Sequence, residues 1–300
     1  MLAQAVWANP ICFLWLYDEK VENTLETIDT IFGRFLEPSR GRLTLTYDYE
    51  TSAIFSFLDI ARLIEATIIL DVGSNIGVYS VYCLSLPLVE RVHAFEPAPA
   101  AYDLLRANVN LQPRREQIFV HNIAASDSTG EVEFNIISEL SGANAVAKPG
   151  SKGDRIFVKA DRIDNVISLA DKCMAVKVDV EGHELKALSG MRELLVRNEC
   201  YVQVECLSAE LLSELREFMM TIGYTYVFSL RDDHLFVSTN LKHRIPKMLE
   251  IISTAVSADL QHLLLLRQKI RQVSLSARRL RDLAGYRKDP LFLSRDQSPF

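Results

Sequence analysis

The chain has little of what disulfide-stapled or zinc-held proteins rely on. Its 300 residues contain five cysteines, Cys12, Cys83, Cys173, Cys200 and Cys206, and no two of them form a CxxC pair. An odd count without metal-ligand spacing excludes a disulfide framework and a zinc ribbon, and predicts reduced, mostly buried thiols in a cytoplasmic protein. With only 12 glycines and 10 prolines, and with 49% hydrophobic against 24% charged residues, the composition excludes disorder and low-complexity fibres. A chain of this length buries roughly three-quarters of the surface it exposes when unfolded, so its core needs no covalent staple. No apolar run reaches the roughly 18 to 20 residues needed to span a bilayer.

The start, MLAQAVWANPICFLWLY, is apolar, but its first residues lack Lys and Arg and it is broken by Asn9 and Pro10. That pattern argues against a signal peptide. It predicts an amphipathic helix docked on the body through Trp7, Phe13, Trp15 and Leu16.

Charge is unevenly spread. The net value is -6, yet residues 241–288 carry eleven Lys or Arg against three Asp or Glu, which leaves -13 on the first 240 residues. An acidic body disfavours non-specific nucleic-acid binding, which depends on basic side chains neutralising phosphates. The basic tail keeps a polyanion or membrane-surface role open.

The middle of the chain alternates short β-branched runs with helical patterns, the signature of βαβ units in a parallel sheet. Strands are expected at 67–72, 91–95, 118–123, 174–179 and 201–206, with helices at 76–86, 98–111, 184–197 and 209–222. Residues 225–230 and 234–239 flank the turn-like Arg231-Asp232-Asp233 and predict an antiparallel hairpin at one sheet edge. An insertion over about 128–167 holds strand-like runs at 131–136 and 155–160 around a long loop, a type that is commonly functional or mobile. Three parts follow: a mainly helical N-terminal cap over 1–66 with a short strand at 42–47, a central domain over 67–240, and a basic helical extension over 241–300. In the extension, Leu249, Ile252, Val256, Leu263, Leu266, Ile270, Val273 and Leu280 recur at spacings of three and four. They define one apolar seam over 249–284, open to packing on its own domain, to a homodimer or to a partner.

The strongest local signal is ILDVGSNIGVYS, a strand that ends at Asp71 and runs through Gly73, Ser74, Asn75 and Gly77 into a helix. Gly73 permits a tight turn and close approach of a ligand, and Gly77 permits the helix to pack on the strand. The spacing is GxxxG. The GxGxxG that seats a pyrophosphate and the Walker GxxxxGK[ST] are both absent. After the second strand comes HAFEP, where Glu96 is placed to accept hydrogen bonds from two ribose hydroxyls. An acid, GxxxG and a second acid in this register fit an adenosyl ligand without phosphates, S-adenosylmethionine.

Four further segments follow in order: NIAASDSTGEVEF from Asn122, VKADRIDNVI from Val158, VKVDVEGHELKALSGM from Val176, and VQVEC from Val202. Together with the glycine loop and the FEP motif they resemble the FkbM family of S-adenosylmethionine-dependent methyltransferases over roughly residues 67–210. The resemblance implies the class I methyltransferase fold, a Rossmann-like α/β sheet of seven mostly parallel strands closed by the antiparallel hairpin. It departs from the family pattern at Ser74, Val178 and the Ala160 to Asp164 run. For the cofactor it implies Asp71, Gly73, Ser74, Asn75 and Gly77 in the loop, Tyr79 packed nearby, Glu96 and Pro97 at the ribose, and Asn122, Ala124, Ser126 and Asp127 on the adenine side. Asp179 lies between cofactor and acceptor.

Methyl transfer is an in-line displacement on a carbon already activated by sulfonium, so the protein mainly aligns the groups and excludes water. A hydroxyl acceptor in a glycan or secondary metabolite benefits from a base or a metal. Asp179, Glu181, His183 and Glu205 are the candidates, because ligands bind at the carboxyl edge of such sheets. Asp179, Glu181 and Glu205 offer oxygen ligands suited to Mg²⁺. Their plain structural alternatives are a helix cap for Glu181, a loop hydrogen bond for Glu205 and a capping role for His183. Lys148, Lys152 and Arg155 in the insertion are candidates for an anionic acceptor. Two other classes remain: a nucleotide-dependent oxidoreductase, which needs the missing phosphate fingerprint, and a non-catalytic scaffold acting through its C-terminal helix. A nucleic-acid methyltransferase is disfavoured by the acidic body and by the absence of an NPPY or DPPY motif.

Overall fold

Runs such as Ile68–Val72 and Cys173–Val178 are almost wholly apolar, which suits strands covered on both faces by helices. They pair accordingly in the computed structural model, which describes residues 25–30, 33–38, 51–137, 144–147 and 153–257. In chain order the described elements begin with β1 (Leu25–Thr30), β2 (Gly33–Pro38), α1 (Thr51–Leu63), β3 (Ile68–Val72), α2 (Val78–Tyr82), β4 (Arg91–Phe95), α3 (Pro99–Asn110) and β5 (Ile118–His121). The insertion adds β6 (Ala124–Ala125), β7 (Gly130–Ile136), β8 (Ala145–Val146) and β9 (Asp154–Asp161). Then come α4 (Ile163–Val166), β10 (Cys173–Val178), α5 (Glu184–Gly190), α6 (Arg192–Arg197), β11 (Glu199–Glu205), α7 (Ala209–Thr221), β12 (Tyr224–Leu230) and β13 (Asp233–Ser238). A last helix, α8, covers 245–257.

The main sheet has seven strands in the order β12-β13-β11-β10-β3-β4-β5. β11, β10, β3, β4 and β5 are mutually parallel, while β13 runs antiparallel to β11 and β12. This is the class I methyltransferase sheet, with the expected hairpin supplying its last two strands. Ile69, Tyr201 and Leu235 share one core with Phe57 of α1 and Leu105 of α3. Leu70, Val176 and Phe236 share a second with Leu188 of α5 and Leu215 of α7. The insertion forms a separate four-stranded sheet, β6-β9-β7-β8, over a small core with Ala98 and Ala101 of α3.

Several expectations are corrected. The helix expected over 76–86 starts only at Val78, because Gly77 at φ 93° still belongs to the loop. The helix expected over 184–197 breaks at Met191. At its preceding residue, Gly190, the place of a side chain is filled by the Ser126 carbonyl, so the backbone of the insertion crosses there. Among the described residues of 1–66, a hairpin that was not expected, β1–β2, precedes α1. Its tight turn is closed by the Thr30 hydroxyl, which donates to the Gly33 carbonyl at 2.8 Å. In α8 the buried positions are Met248 and Ile252, joined by partly buried Ile245, while Leu249 and Val256 are exposed. The docked face keeps Ile252 of the expected seam but takes Met248 in place of Leu249. The N-terminal helix, the strand at 42–47, Cys12, Lys148, Lys152 and the seam beyond 257 lie outside the described residues.

Candidate active site

The loop after β3 is held by backbone and by buried carboxylates. Gly73 and Ser74 both donate to the Phe95 carbonyl at 2.9 Å, and the Ser74 hydroxyl donates to the Asp71 carbonyl at 2.6 Å. Asp71 turns its carboxylate into α2, where the Ser80 amide and hydroxyl donate at 3.0 and 2.6 Å. Burial raises its pKa to about 6 against those bonds. Asp71 is therefore the anchor of the helix start.

Glu96 ties two loops together. Its Oε2 accepts from the Asn75 amide at 2.9 Å and its Oε1 from the Ala98 amide at 2.8 Å. Burial pushes its pKa up to about 7 in spite of both donors. Asn75 sits at φ 48°, a strained conformation outside glycine, and its Oδ1 is a buried acceptor with no partner. A dry, unsatisfied oxygen beside a carboxylate with spare lone pairs is what a bound ligand carrying hydroxyl or amino donors would complete. The loop thus fits an adenosyl group.

Two glycines meet neighbours beyond those expected. Gly73 makes the expected tight turn at φ 85°, and the place of a Cβ is filled by the Asp179 carbonyl, so the neighbouring strand end demands glycine as well. At Gly77 a Cβ would meet Leu105 of α3, not the strand. The first of these contacts joins the cofactor loop directly to the acidic cluster.

That cluster consists of Asp179, Glu181 and Glu205, with one oxygen from each lying within 4.8 Å of the others. Burial and the neighbouring Asp179 carboxylate raise Glu205 well above the usual carboxylate range. Glu181 has φ 55°, and Gly182 follows at φ 91°, so the chain turns sharply after β10. Glu184, in the first turn of α5, accepts at Oε1 from the Gly182 amide at 2.7 Å and so braces this turn. His183 stands at the N-cap of α5, and its Nε2 lies 3.1 Å from the Ser126 hydroxyl.

The remaining candidates fall around this centre. Asn122 donates through Nδ2 to the carbonyls of Glu96 and Pro97, at 2.9 and 3.3 Å, and so fixes the FEP turn. Ala124 is buried in β6 against Ala160 of β9, and Asp127 is exposed. Tyr79 is turned into the protein, edge-on to Phe57, with its hydroxyl accepting from Gln203 at 3.3 Å. Arg155 pairs with Glu133 at 3.1 Å.

Sequence reasoning missed Lys177. It stands in register with Asp71 on β3 and Gln203 on β11, a row of three buried polar residues across an otherwise apolar face. Its Nζ lies 2.7 Å from Asp233 and 3.6 Å from Asp179. Burial opposes its charge, but Asp233, Tyr79, Asp179 and Glu205 together hold its pKa well above the ordinary value. A lysine within the run VKVDV was the available signal, since charge in a fully buried strand needs a partner.

Such a sheet, with an acid-GxxxG loop and an acidic cluster at its carboxyl edge, defines the class I methyltransferase fold. The chain belongs to the FkbM methyltransferase domain family, whose model matches residues 71–228, more than half of the chain. The hexuronic acid methyltransferase AglP of Haloferax volcanii is 33% identical over 144 residues, 46% of this chain and 57% of that protein. The methyltransferase sdnD of Sordaria araneosa is 30% identical over 212 residues, 59% of this chain and 81% of that protein. A crystal structure of an FkbM methyltransferase from Methylobacillus flagellatus KT aligns at 19% identity and TM-score 0.44, covering 58% of this chain and 44% of that one. The chain thus spans little more than half of AglP.

Proposed function

We propose that the protein is an S-adenosylmethionine-dependent methyltransferase acting on oxygen, with a hydroxyl of a glycan or secondary metabolite as acceptor. The observation that carries this reading is the contact of Gly73 with the Asp179 carbonyl, which sets the cofactor loop against the acidic cluster. The name of one relative, a hexuronic acid methyltransferase, supports a sugar acid as the acceptor.

S-adenosylmethionine, when bound, supplies a methyl group activated by sulfonium. Glu96 and Asn75 would hold its hydroxyl and amino donors, with Ser126 and the Asn122-fixed turn on the adenine side. Asp179 and Glu205 would orient the acceptor hydroxyl and take up its proton during methyl transfer. His183, 3.1 Å from the Ser126 hydroxyl, is the alternative base. No described helix is long and apolar enough to cross a membrane. Free buried thiols at Cys83, Cys200 and Cys206 support a reducing, cytoplasmic setting.

A second reading of the same trio is a Mg²⁺ site, since three carboxylates form a hard-oxygen donor set. Lys177 already gives Asp179 a cationic neighbour, which weakens the trio's attraction for a divalent ion. Methyl transfer that survives EDTA supports the metal-free reading, and loss restored by Mg²⁺ reverses it.

The test of the function is calorimetric titration with S-adenosylmethionine and its demethylated product, followed by labelled methyl transfer to a panel of hexuronic acids and other polyols. Glu96→Ala should weaken cofactor binding by about 1–3 kcal/mol. Absence of binding by folded protein overturns the enzyme reading, and binding without turnover moves it to the scaffold.

A further inference from the structure

The hairpin β1–β2 lies outside the span that matches the family, yet its backbone is joined to the glycine loop through a single amide. Asn108 of α3 is fully buried. Its Nδ2 donates to the Ile76 carbonyl at 3.0 Å and to the Leu36 carbonyl at 3.3 Å, and its Oδ1 accepts from the Leu36 amide at 2.6 Å. The opposite amide orientation would set Oδ1 against two carbonyl oxygens, so only this one satisfies the group.

Leu36 engages Asn108 through both of its backbone groups. One helical turn later Gln112 repeats the arrangement, donating to the Arg34 carbonyl at 2.6 Å and to the Asn108 carbonyl at 2.8 Å. Two side-chain amides therefore stand where a third strand would pair with the hairpin edge. Phe35, between them, is fully buried and edge-on to Tyr82 of α2 at 5.8 Å.

The glycine loop needs such bracing. Gly73, Asn75 and Gly77 all have left-handed φ, at 85°, 48° and 93°. A loop of that shape persists only where its surroundings over-determine it. Phe95 and Glu96 hold Gly73, Ser74 and Asn75. Asn108 holds Ile76, and the hairpin fixes Asn108.

We propose that Asn108 is a positioning residue of the cofactor site, and that the hairpin β1–β2 belongs to that site because it locks the Asn108 amide onto Ile76. This rests on reading residues 73–77 as the S-adenosylmethionine loop.

The experiment is S-adenosylmethionine calorimetry on the full-length protein, with Asn108→Leu and Leu36→Pro, joined to amide hydrogen exchange on the unaltered chain with and without cofactor. Leu36→Pro removes one N–H and touches no loop residue. Expected are about tenfold weaker binding for Asn108→Leu and a weakening of at least threefold for Leu36→Pro. By reciprocity, cofactor should slow exchange of the Leu36 amide along with those of 75–77, which a merely structural bond would not show. Should Asn108→Leu fail to fold, Leu36→Pro and the exchange measurement decide. Wild-type affinity in the folded variants, or a Leu36 amide indifferent to cofactor, overturns the inference while leaving the cofactor reading intact. No binding by the unaltered protein overturns the cofactor reading itself.

Discussion

Lys177 and Asp233 form an ion pair of 2.7 Å whose side chains are 5% and 12% exposed, and it ties the carboxyl end of β10 to the terminal hairpin. Breaking such a pair from one side leaves a charge in a dry site, which costs more than the pair itself contributes. Asp233→Ala should lower unfolding free energy by about 3–5 kcal/mol in denaturant titration. Replacing both partners, Lys177→Met with Asp233→Leu, should recover much of that loss. A double variant as unstable as Asp233→Ala would show that the pair is held by more than charge balance.

The same pair shows what could and could not be read from the chain. The parallel strands were legible because Ile, Leu and Val runs such as 68–72 leave a fully buried strand little alternative. The loop was legible because Gly73 and Gly77 flank a strand-to-helix turn, although the groups that demand glycine there, Asp179 and Leu105, are distant in sequence. Asp179, Glu181 and Glu205 could be gathered from strand ends alone. Lys177, Asn108 and Gln112 could not, because each acquires its meaning from a partner on a non-adjacent element. The hairpin was missed for a similar reason: LETIDT alternates too weakly to declare a strand until β2 and the α3 amides are in place.

Gly73→Ala brings two costs together. The new methyl group would occupy the position of the Asp179 carbonyl, and the backbone would stay at φ 85°. Either the loop or the end of β10 must move. We expect a loss of roughly 1–3 kcal/mol in stability and loss of S-adenosylmethionine binding, read by thermal melting and calorimetry on the same sample. Unchanged affinity in a destabilised variant would separate the packing from the site.

Asp71 and Glu96 should lower stability without ligand as pH rises from about 4 to about 7, opposed below pH 6.5 by buried His93, whose pKa is lowered to about 4. Asp71 goes from an ordinary 3.8 to about 6, and Glu96 from 4.5 to about 7, both through burial. In that window the folded chain holds protons that the unfolded chain has released, so raising pH favours unfolding. Each fully titrating group contributes about 1.4 kcal/mol per pH unit. The stabilisation is complete below the unfolded values and is lost as pH passes the folded ones. Melting at pH 5 should exceed that at pH 8, and Glu96→Gln should flatten the upper part of the slope. A melting temperature that climbs from pH 5 to pH 8 would contradict the burial of these carboxylates.

The same carboxylate makes cofactor binding a proton-linked event. Without ligand, Glu96 sits near a pKa of about 7, so at pH 6.5 much of it is protonated. Hydroxyl donors from a ribose favour the ionised form, which then accepts them alongside the Asn75 and Ala98 amides. Binding at pH 6.5 should therefore release up to about one proton, measured as a dependence of calorimetric enthalpy on the ionisation enthalpy of the buffer. Affinity should rise by up to about tenfold per pH unit below 7 and level off above it. In Glu96→Gln both the proton release and the pH dependence should disappear together with part of the affinity. A wild-type enthalpy independent of buffer would mean that Glu96 stays protonated or never meets the cofactor, and its role would then be confined to holding the loops at Asn75 and Ala98.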